Sequence, residues 1–241
     1  RLFEALLRGR ALEEVPDITA RICGICPVAY QMSSVHALEA ALGIRVSPEI
    51  RSLRRLLYCA EWIESHALHV HLLNAPDFLG YASGLEMASD YPREVNRGLQ
   101  LKKQGNRLLE LLGGRAVHPI NVAVGGFYRA PRREEITALI PDYESALDAA
   151  IEATRWIAGF DFPEFAQPYD FVAVVHPDEY PFCEGRIEAS DGLSIEAGEF
   201  DRFFREQQVP HSTALQALRT DTGKTYLVGP LARMNLAREQ L

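Results

Sequence analysis

The 241-residue sequence has few cysteines, no long apolar run and no cluster of basic residues. No stretch approaches the roughly 20 apolar residues that cross a bilayer, so we expect no membrane span. The formal net charge is −8, and acidic and basic residues are interspersed. A nucleic-acid-binding protein would need a clustered Lys/Arg face, so we expect no nucleic-acid partner. A secretory signal is also lacking, and a cytoplasmic protein is therefore expected.

Helical patterning dominates the part of the sequence before Pro163. Apolar residues recur at helical spacing, and Pro and Gly stand where such runs begin and end. The predicted helices cover residues 2–7, 28–42, 48–73, 91–112 and 134–158. The i, i+3/i+4 rhythm is clearest in the last of these.

From Pro163 onward the sequence changes to short segments rich in β-forming residues. The predicted strands are Phe171–Val175, Arg186–Ala189, Leu193–Ala197 and Thr225–Val228, and a hairpin turn is predicted at Ser190–Gly192. We therefore expect a mainly α protein with a small α+β part. The expected domains are a helical body at 1–162, a sheet-containing insertion at 163–230 and the start of a further helix at 231–241. Because helical patterns run to both ends, we expect a fragment of a longer protein.

The four cysteines form one close pair, Cys23 and Cys26, and two single residues. Cys26 comes just before the predicted helix 28–42, whose N-terminus should favour a thiolate. Gly24 is expected to permit a tight turn that directs both sulfurs toward one point, and Arg21 to add positive charge nearby. Two thiolates arranged in this way suit a soft transition metal.

Three interpretations of the cysteine pair stay open from the residues alone: a metal site, a redox dithiol and two structural cysteines. A zinc site would need two more ligands, and Cys59 and Cys183 do not supply a second pair. A thioredoxin-like dithiol oxidoreductase also has Cys-Gly-x-Cys before a helix, but it needs a preceding buried strand that residues 13–20 do not resemble. Two unrelated structural cysteines are the third interpretation.

A longer string around the pair resembles a known family. Residues 21–30, Arg-Ile-Cys-Gly-Ile-Cys-Pro-Val-Ala-Tyr, are similar to the N-terminal signature of nickel–iron hydrogenase large subunits, Arg-x-Cys-Gly-x-Cys-x-x-x-His. Three more segments resemble elements of that family, in the same order. They are Leu2-Phe3-Glu4, Ser65-His66-Ala67-Leu68-His69 and Gly114-Arg115-Ala116-Val117-His118-Pro119. The run Cys-Pro-Val-Ala-Tyr-Gln most resembles the cytosolic, bidirectional, NAD(P)-linked branch.

This resemblance implies a helical-bundle fold with short β-hairpins and an enzyme that reversibly oxidises H2 at a Ni-Fe centre. Cys23 would be a terminal thiolate on nickel, and Cys26 a thiolate that bridges nickel and iron. The iron in this family carries carbon monoxide and cyanide. The family's other two thiolates come from a C-terminal Cys motif that this sequence lacks, so the chain alone is expected to be inactive. Glu4 would be a ligand of a nearby magnesium ion.

The resemblance also implies the surroundings and partners of the centre. Tyr30 stands where the signature has a His that hydrogen-bonds a site sulfur; a phenol can donate one such bond, so we expect a retuned site. His66, His69 and His118 are expected around the centre rather than as metal ligands. The implied partners are an iron–sulfur small subunit and a flavin module serving NAD(P). A non-catalytic subunit related to those of quinone-reducing complexes is the alternative, and retention of both cysteines argues against it.

Overall fold

A computed structural model describes residues 2–181 and 183–238. The chain divides into two compact units, Arg1–Phe162 and Pro163–Leu241. None of the helices in the described ranges combines the length and the apolar character needed to cross a bilayer.

The first unit is built from helices. They are α1 (Leu2–Leu7), α2 (Val15–Ala20), α3 (Pro27–Leu42), α4 (Pro48–Leu68), α5 (Ala75–Leu79), α6 (Gly84–Met87), α7 (Pro92–Gly113), α8 (Arg133–Thr137) and α9 (Ile140–Ile157). A 3-10 turn at Leu12–Glu14 precedes α2, and a π-helical segment at His69–Asn74 continues α4. A short antiparallel hairpin, β1 (Val122–Ala123) and β2 (Gly126–Phe127), lies in the segment between α7 and α8.

Local signals in the sequence explain where the main helices begin and end. Pro27 opens α3, and Gly43 ends it with a left-handed backbone, φ 67°. At the start of α4 the hydroxyl of Ser47 accepts a hydrogen bond from the Ile50 N–H, the usual role of an N-cap serine. Gly114 ends α7 in the same left-handed conformation as Gly43, with φ 85°.

The core of this unit lies where α3, α4 and α7 bury their apolar faces. Its fully or almost fully buried side chains include Val28, Met32, Val35, Leu57, Leu108, Leu109 and Leu112. Helices α4 and α7 come unusually close at Gly105, because a Cβ there would lie 2.6 Å from the Glu64 nitrogen and 2.7 Å from the Ala60 oxygen. The absence of a side chain at Gly105 thus sets the spacing of the two helices.

The second unit contains two small antiparallel sheets. Strands β3 (Val172–Val175), β4 (Arg186–Ala189) and β5 (Ser194–Ile195) form one, and β6 (Phe204–Gln207) with β7 (Gln216–Arg219) forms the other. Helices α10 (Phe200–Phe203) and α11 (Pro230–Leu236) complete the unit. Its apolar core consists of Val172, Ala189, Ile195 and Phe204. The buried guanidinium of Arg219 pairs with both Asp191 and Asp221.

The structure corrects several predicted elements. Helix 48–73 is α-helical only to Leu68, and the predicted helix 134–158 is two helices, α8 and α9. Apolar residues on α9 are also less buried than the rhythm suggests, since Leu147 is 62% exposed.

Corrections also apply to the second unit. Residues 225–228 form no strand; Leu227 makes only an isolated bridge with Phe171. Strands β6 and β7 were not predicted. The helix predicted over 231–241 is α11, which ends at Leu236, and residues 239–241 lie outside the described residues.

Candidate metal centre

The two cysteines of the close pair meet in the turn between α2 and α3. Their Sγ atoms are 2.6 Å apart, and the Cys26 thiol donates a hydrogen bond to the Cys23 sulfur. The Cys26 backbone N–H also donates to Cys23 Sγ, at 3.2 Å. Both side chains are partly buried, and neither forms a disulfide. The expected convergence of the two sulfurs is therefore confirmed.

The ionisation of the pair differs from the sequence-based expectation. Burial, the hydrogen bond to Cys23, and the negative charges of Cys23 and Glu61 raise the pKa of Cys26 to about 12. Burial also acts to raise the pKa of Cys23, but hydrogen bonds from the Cys26 thiol and from backbone N–H groups outweigh it and lower that pKa. The prediction that the helix N-terminus favours a thiolate at Cys26 is wrong for the metal-free protein; Cys23 holds the negative charge more readily.

A carboxylate also binds at the N-terminus of α3, next to the cysteine turn. Glu61 of α4 accepts hydrogen bonds from the Val28 N–H at 2.5 Å and from the Ala29 N–H at 3.3 Å. Burial raises the pKa of Glu61 to about 7, against the effect of these two hydrogen bonds. Glu61 was not predicted from the sequence. The available signal was an acidic residue one helical turn after Leu57, on the buried face of α4.

Two other expectations about the turn also need revision. The φ of Gly24 is not in the left-handed region, and a Cβ at this position would meet no atom within 4 Å. The fold of the turn therefore does not require glycine there. The side chain of Arg21 turns back along α2, where it forms an ion pair with Asp17 and donates to the Asp17 carbonyl.

The loop after α7 is tied to the segment that leads into the cysteines. His118 Nδ1 lies 2.7 Å from the Ala20 carbonyl oxygen; a carbonyl only accepts, so Nδ1 carries the proton. Arg115 Nε in turn donates to the His118 carbonyl at 2.6 Å. His118 has a φ of 53°, a left-handed conformation that is uncommon outside glycine. Of the histidines predicted around the centre, His118 is the one whose hydrogen bonds reach the cysteine segment within the described residues.

A second residue that sequence reasoning missed joins the same loop to α3. Gln31 is almost fully buried, and its Nε2 donates to the Pro119 carbonyl at 2.7 Å. The side chain follows Cys26 by little more than one helical turn. The loop, α3 and the end of α2 therefore form one hydrogen-bonded framework around the turn.

The remaining predicted residues lie on exposed surfaces. Tyr30 is 41% exposed, and its hydroxyl makes no hydrogen bond within the described residues. His66 and His69 are exposed on α4 and on the π-helical segment, and His66 Nδ1 contacts the Trp62 carbonyl at 2.8 Å. Glu4 is exposed on α1. Among residues 2–181 and 183–238, no three His, Cys, Asp or Glu side chains converge as a metal site, so Glu4 has no assembled magnesium site there.

The local fold argues against a thioredoxin-like interpretation of the pair. That fold needs a buried strand just before its cysteines, whereas here the preceding element is α2, which ends at Ala20. The turn instead offers two sulfurs at the N-terminus of a helix, held by contacts from α4 and from the loop after α7. Such an arrangement can present two adjacent soft ligands to a metal ion.

Comparisons with known proteins find similar sequences. The family model described as nickel-dependent hydrogenase matches residues 1–97. Sulfhydrogenase 1 subunit alpha of Pyrococcus furiosus is 34% identical over 97% of this chain and 55% of its own length. Sulfhydrogenase 2 subunit alpha of the same organism is 35% identical over 100% of this chain and 56% of its own length. The chain thus spans little more than half the length of these curated relatives.

Solved structures share the fold. The crystal structure of an NAD+-reducing [NiFe]-hydrogenase in the H2-reduced state has a TM-score of 0.86 and 24% identity, and the match covers 98% of this chain and 58% of that one. A variant of the [NiFeSe] hydrogenase from Desulfovibrio vulgaris Hildenborough has a TM-score of 0.76 and 22% identity, over 98% and 59%. The mainly helical fold with small sheets that the sequence predicts is confirmed. The chain is therefore similar to nickel-dependent hydrogenases, and its sulfhydrogenase relatives are alpha subunits.

Proposed function

We propose that the protein to which this chain belongs interconverts H2 with protons and electrons, and that Cys23 and Cys26 supply two of four sulfur ligands to a Ni-Fe centre. The observation that carries this proposal is the convergence of their Sγ atoms, 2.6 Å apart, at the start of α3. The other two sulfurs would come from sequence beyond the 241 residues.

The residues present fit such a centre in chemistry and arrangement. Thiolates are soft ligands that suit nickel and iron, and the two sulfurs lie close enough to bind neighbouring metals. When bound, the centre, with carbon monoxide and cyanide on its iron, supplies the redox-active metals at which H2 is cleaved. Cys23 is proposed as the terminal ligand of nickel and Cys26 as the bridging ligand.

The state of the two thiols determines what must happen before metal binds. Burial and the neighbouring Cys23 and Glu61 raise the pKa of Cys26 to about 12, so this thiol keeps its proton in the metal-free turn. A metal ion binds the thiolate, and metal binding therefore has to displace that proton.

Other predicted residues keep proposed roles around the centre. His118, fixed through Ala20, is proposed to hold the approach to Cys23 in place. Tyr30 is proposed to donate a hydrogen bond to a site sulfur in the loaded protein, and Arg21, His66 and His69 are proposed as outer residues. Glu4 is proposed as a magnesium ligand whose companions lie outside the described residues.

Apolar side chains exposed near the turn support the proposal that a partner protein binds there. Ile25 and Tyr30, in and just after the turn, and Val117 and Ile120, in the loop after α7, are all more than one-third exposed. Contiguous exposed apolar groups mark surfaces that other protein covers, and we propose that these four residues belong to one such surface. An iron–sulfur small subunit that receives the electrons is the proposed partner. A further flavin module serving NAD(P) and a cytoplasmic location are also proposed, in line with the similarity to an NAD+-reducing hydrogenase.

The test is made in the full-length protein with its partner subunits. Cys23→Ser and Cys26→Ser variants are expected to lose bound nickel and H2-dependent reduction of a viologen dye. Cys59→Ser, a change in the middle of α4, is the matched control and should keep both. Retention of stoichiometric nickel and of H2 uptake in either of the first two variants would refute the proposal.

A further inference from the structure

We propose that Glu61 is a positioning residue for the turn of Cys23 and Cys26, acting from α4 through the backbone of α3. This proposal rests on the proposed function only for the identity of the metal. The hydrogen bonds from which it is argued are those of the metal-free turn.

The N-terminus of α3 cannot be capped by its own residues. Cys26 stands at the N-cap position, but its side chain makes no capping hydrogen bond, because its thiol points to Cys23. Pro27 occupies the first helical position and has no N–H. Val28 and Ala29 therefore carry the first backbone donors of the helix, and these need an acceptor from elsewhere.

Glu61 supplies both acceptors. Its Oε2 lies 2.5 Å from the Val28 nitrogen and its Oε1 lies 3.3 Å from the Ala29 nitrogen. The side chain is only 2% exposed, so water does not compete freely for these donors. A carboxylate 33 residues away thus takes the role of the usual N-cap side chain, and the Cys26 sulfur is not used for capping.

The α4 backbone on either side of Glu61 is held in place by contact with α7. Ala60 and Glu64, on either side of Glu61 in α4, are the residues that α7 approaches at Gly105, where a Cβ would lie 2.7 Å from the Ala60 oxygen. The close approach of α7 to α4 at Gly105 therefore fixes the backbone from which Glu61 reaches. Through Val28 and Ala29 this fixes the start of α3, and so the direction of the Cys26 side chain.

The test uses the full-length protein in its metal-free form, with Cys59 and Cys183 replaced by Ser so that Cys23 and Cys26 are its thiol pair within this region. Glu61→Gln keeps the length and one acceptor oxygen; Glu61→Asp keeps the charge but is one methylene shorter. Glu64→Gln is the matched control: Glu64 is buried on the next turn of α4 and pairs with Lys102. Two quantities are measured, backbone hydrogen exchange in a peptide covering residues 27–32, and Cd²⁺ affinity from the thiolate-to-metal absorption.

We expect Glu61→Asp to exchange about tenfold faster at Val28 and Ala29, and to bind Cd²⁺ about tenfold more weakly, as for loss of roughly one hydrogen bond. Glu61→Gln keeps one acceptor oxygen but sets an amide NH2 group against the second backbone donor, so we expect losses smaller than those of Glu61→Asp in both measurements. Glu64→Gln should stay close to the starting protein. Equal losses in Glu61→Asp and Glu64→Gln would show a general effect on α4 and overturn the proposal. Unchanged Cd²⁺ affinity in Glu61→Asp would also overturn it. Because neither readout depends on nickel or H2, failure here is distinguishable from failure of the proposed function.

Discussion

The carboxylate of Glu39 and the guanidinium of Arg54 form a two-point ion pair inside the helical unit. The N–O distances are 2.8 and 2.6 Å, and both residues are almost fully buried. Glu39 Oε1 also accepts a hydrogen bond from the Gly125 N–H at 2.7 Å. This pair therefore joins α3 and α4 to the hairpin turn between β1 and β2.

Removing one member of this pair should destabilise the unit strongly. Arg54→Met would leave the Glu39 carboxylate buried without its countercharge, a change that typically costs about 3–5 kcal/mol. We expect a loss of that size in the free energy of unfolding, measured by urea denaturation. Arg93→Met is the control, since Arg93 pairs with Glu152 at the surface and such pairs contribute about 0–1 kcal/mol. Similar losses in the two variants would contradict the prediction.

The same pair predicts how stability depends on pH. Burial alone would raise the pKa of Glu39, but hydrogen bonds from Arg54 and from the Gly125 N–H hold it below its ordinary value of 4.5. Because the pKa is lower in the folded state, the ionised carboxylate stabilises the fold above pH 4.5, and this contribution disappears as pH falls through the folded-state pKa.

Urea denaturation over a series of acidic pH values tests that dependence. The difference in unfolding free energy between the wild-type protein and Glu39→Gln should be largest near neutral pH and should shrink as pH falls below 4.5. A difference that stays constant, or that grows in acid, would count against it.

Gly105→Ala tests the close approach of α4 and α7. The added Cβ would lie within 2.8 Å of three atoms of Ala60 and Glu64, two of them backbone atoms. Overpacking of this kind costs about 1–3 kcal/mol, which thermal or urea unfolding would detect. Gly198→Ala is the control, because a Cβ at Gly198 would meet nothing within 4 Å. A Gly105→Ala protein as stable as the control would show that the helices separate without cost.

Two substitutions of His118 should lower the free energy of unfolding by different amounts. His118→Ala would lose the hydrogen bond to the Ala20 carbonyl and place alanine in the left-handed region, at a cost of about 1 kcal/mol for each effect. Asparagine tolerates that backbone conformation, so His118→Asn should be destabilised by about half as much. Urea denaturation of the two variants measures their free energies of unfolding. Equal values would mean that the left-handed backbone conformation at His118 carries no strain.

The parts of the fold that follow from local signals were predictable. Helices α3 and α7 begin and end close to their predicted bounds, because Pro27 and Pro92 open them and glycines end them. Strands β6 and β7 were not predicted, since Phe204–Gln207 contains no β-branched residue and Gln216–Arg219 none either. Their stability comes from pairing with each other as a hairpin and from packing, which the residue types of each segment do not show.

Some features of the candidate site could be predicted from the sequence and others could not. Convergence of Cys23 and Cys26 follows from their spacing and from the helix that begins after them. The pKa of Cys26 is raised chiefly because the side chain is buried and hydrogen-bonded to Cys23, and Glu61, which contacts the start of α3 from another helix, adds a negative charge. Such a contact is decided by the packing of α3 on α4, and the sequence around the cysteines contains no sign of it.

The π-helical segment His69–Asn74 should tolerate the deletion of one residue. A π turn holds about one residue more than the α-helical turn it replaces. Loss of one residue between His69 and Asn74 would therefore restore ordinary helical hydrogen bonding and keep α4 and α5 in phase. The same deletion inside α7 would rotate every later side chain of that helix by about 100° and turn its apolar face away from the core. Single-residue deletions should thus be tolerated after α4 far better than within α7.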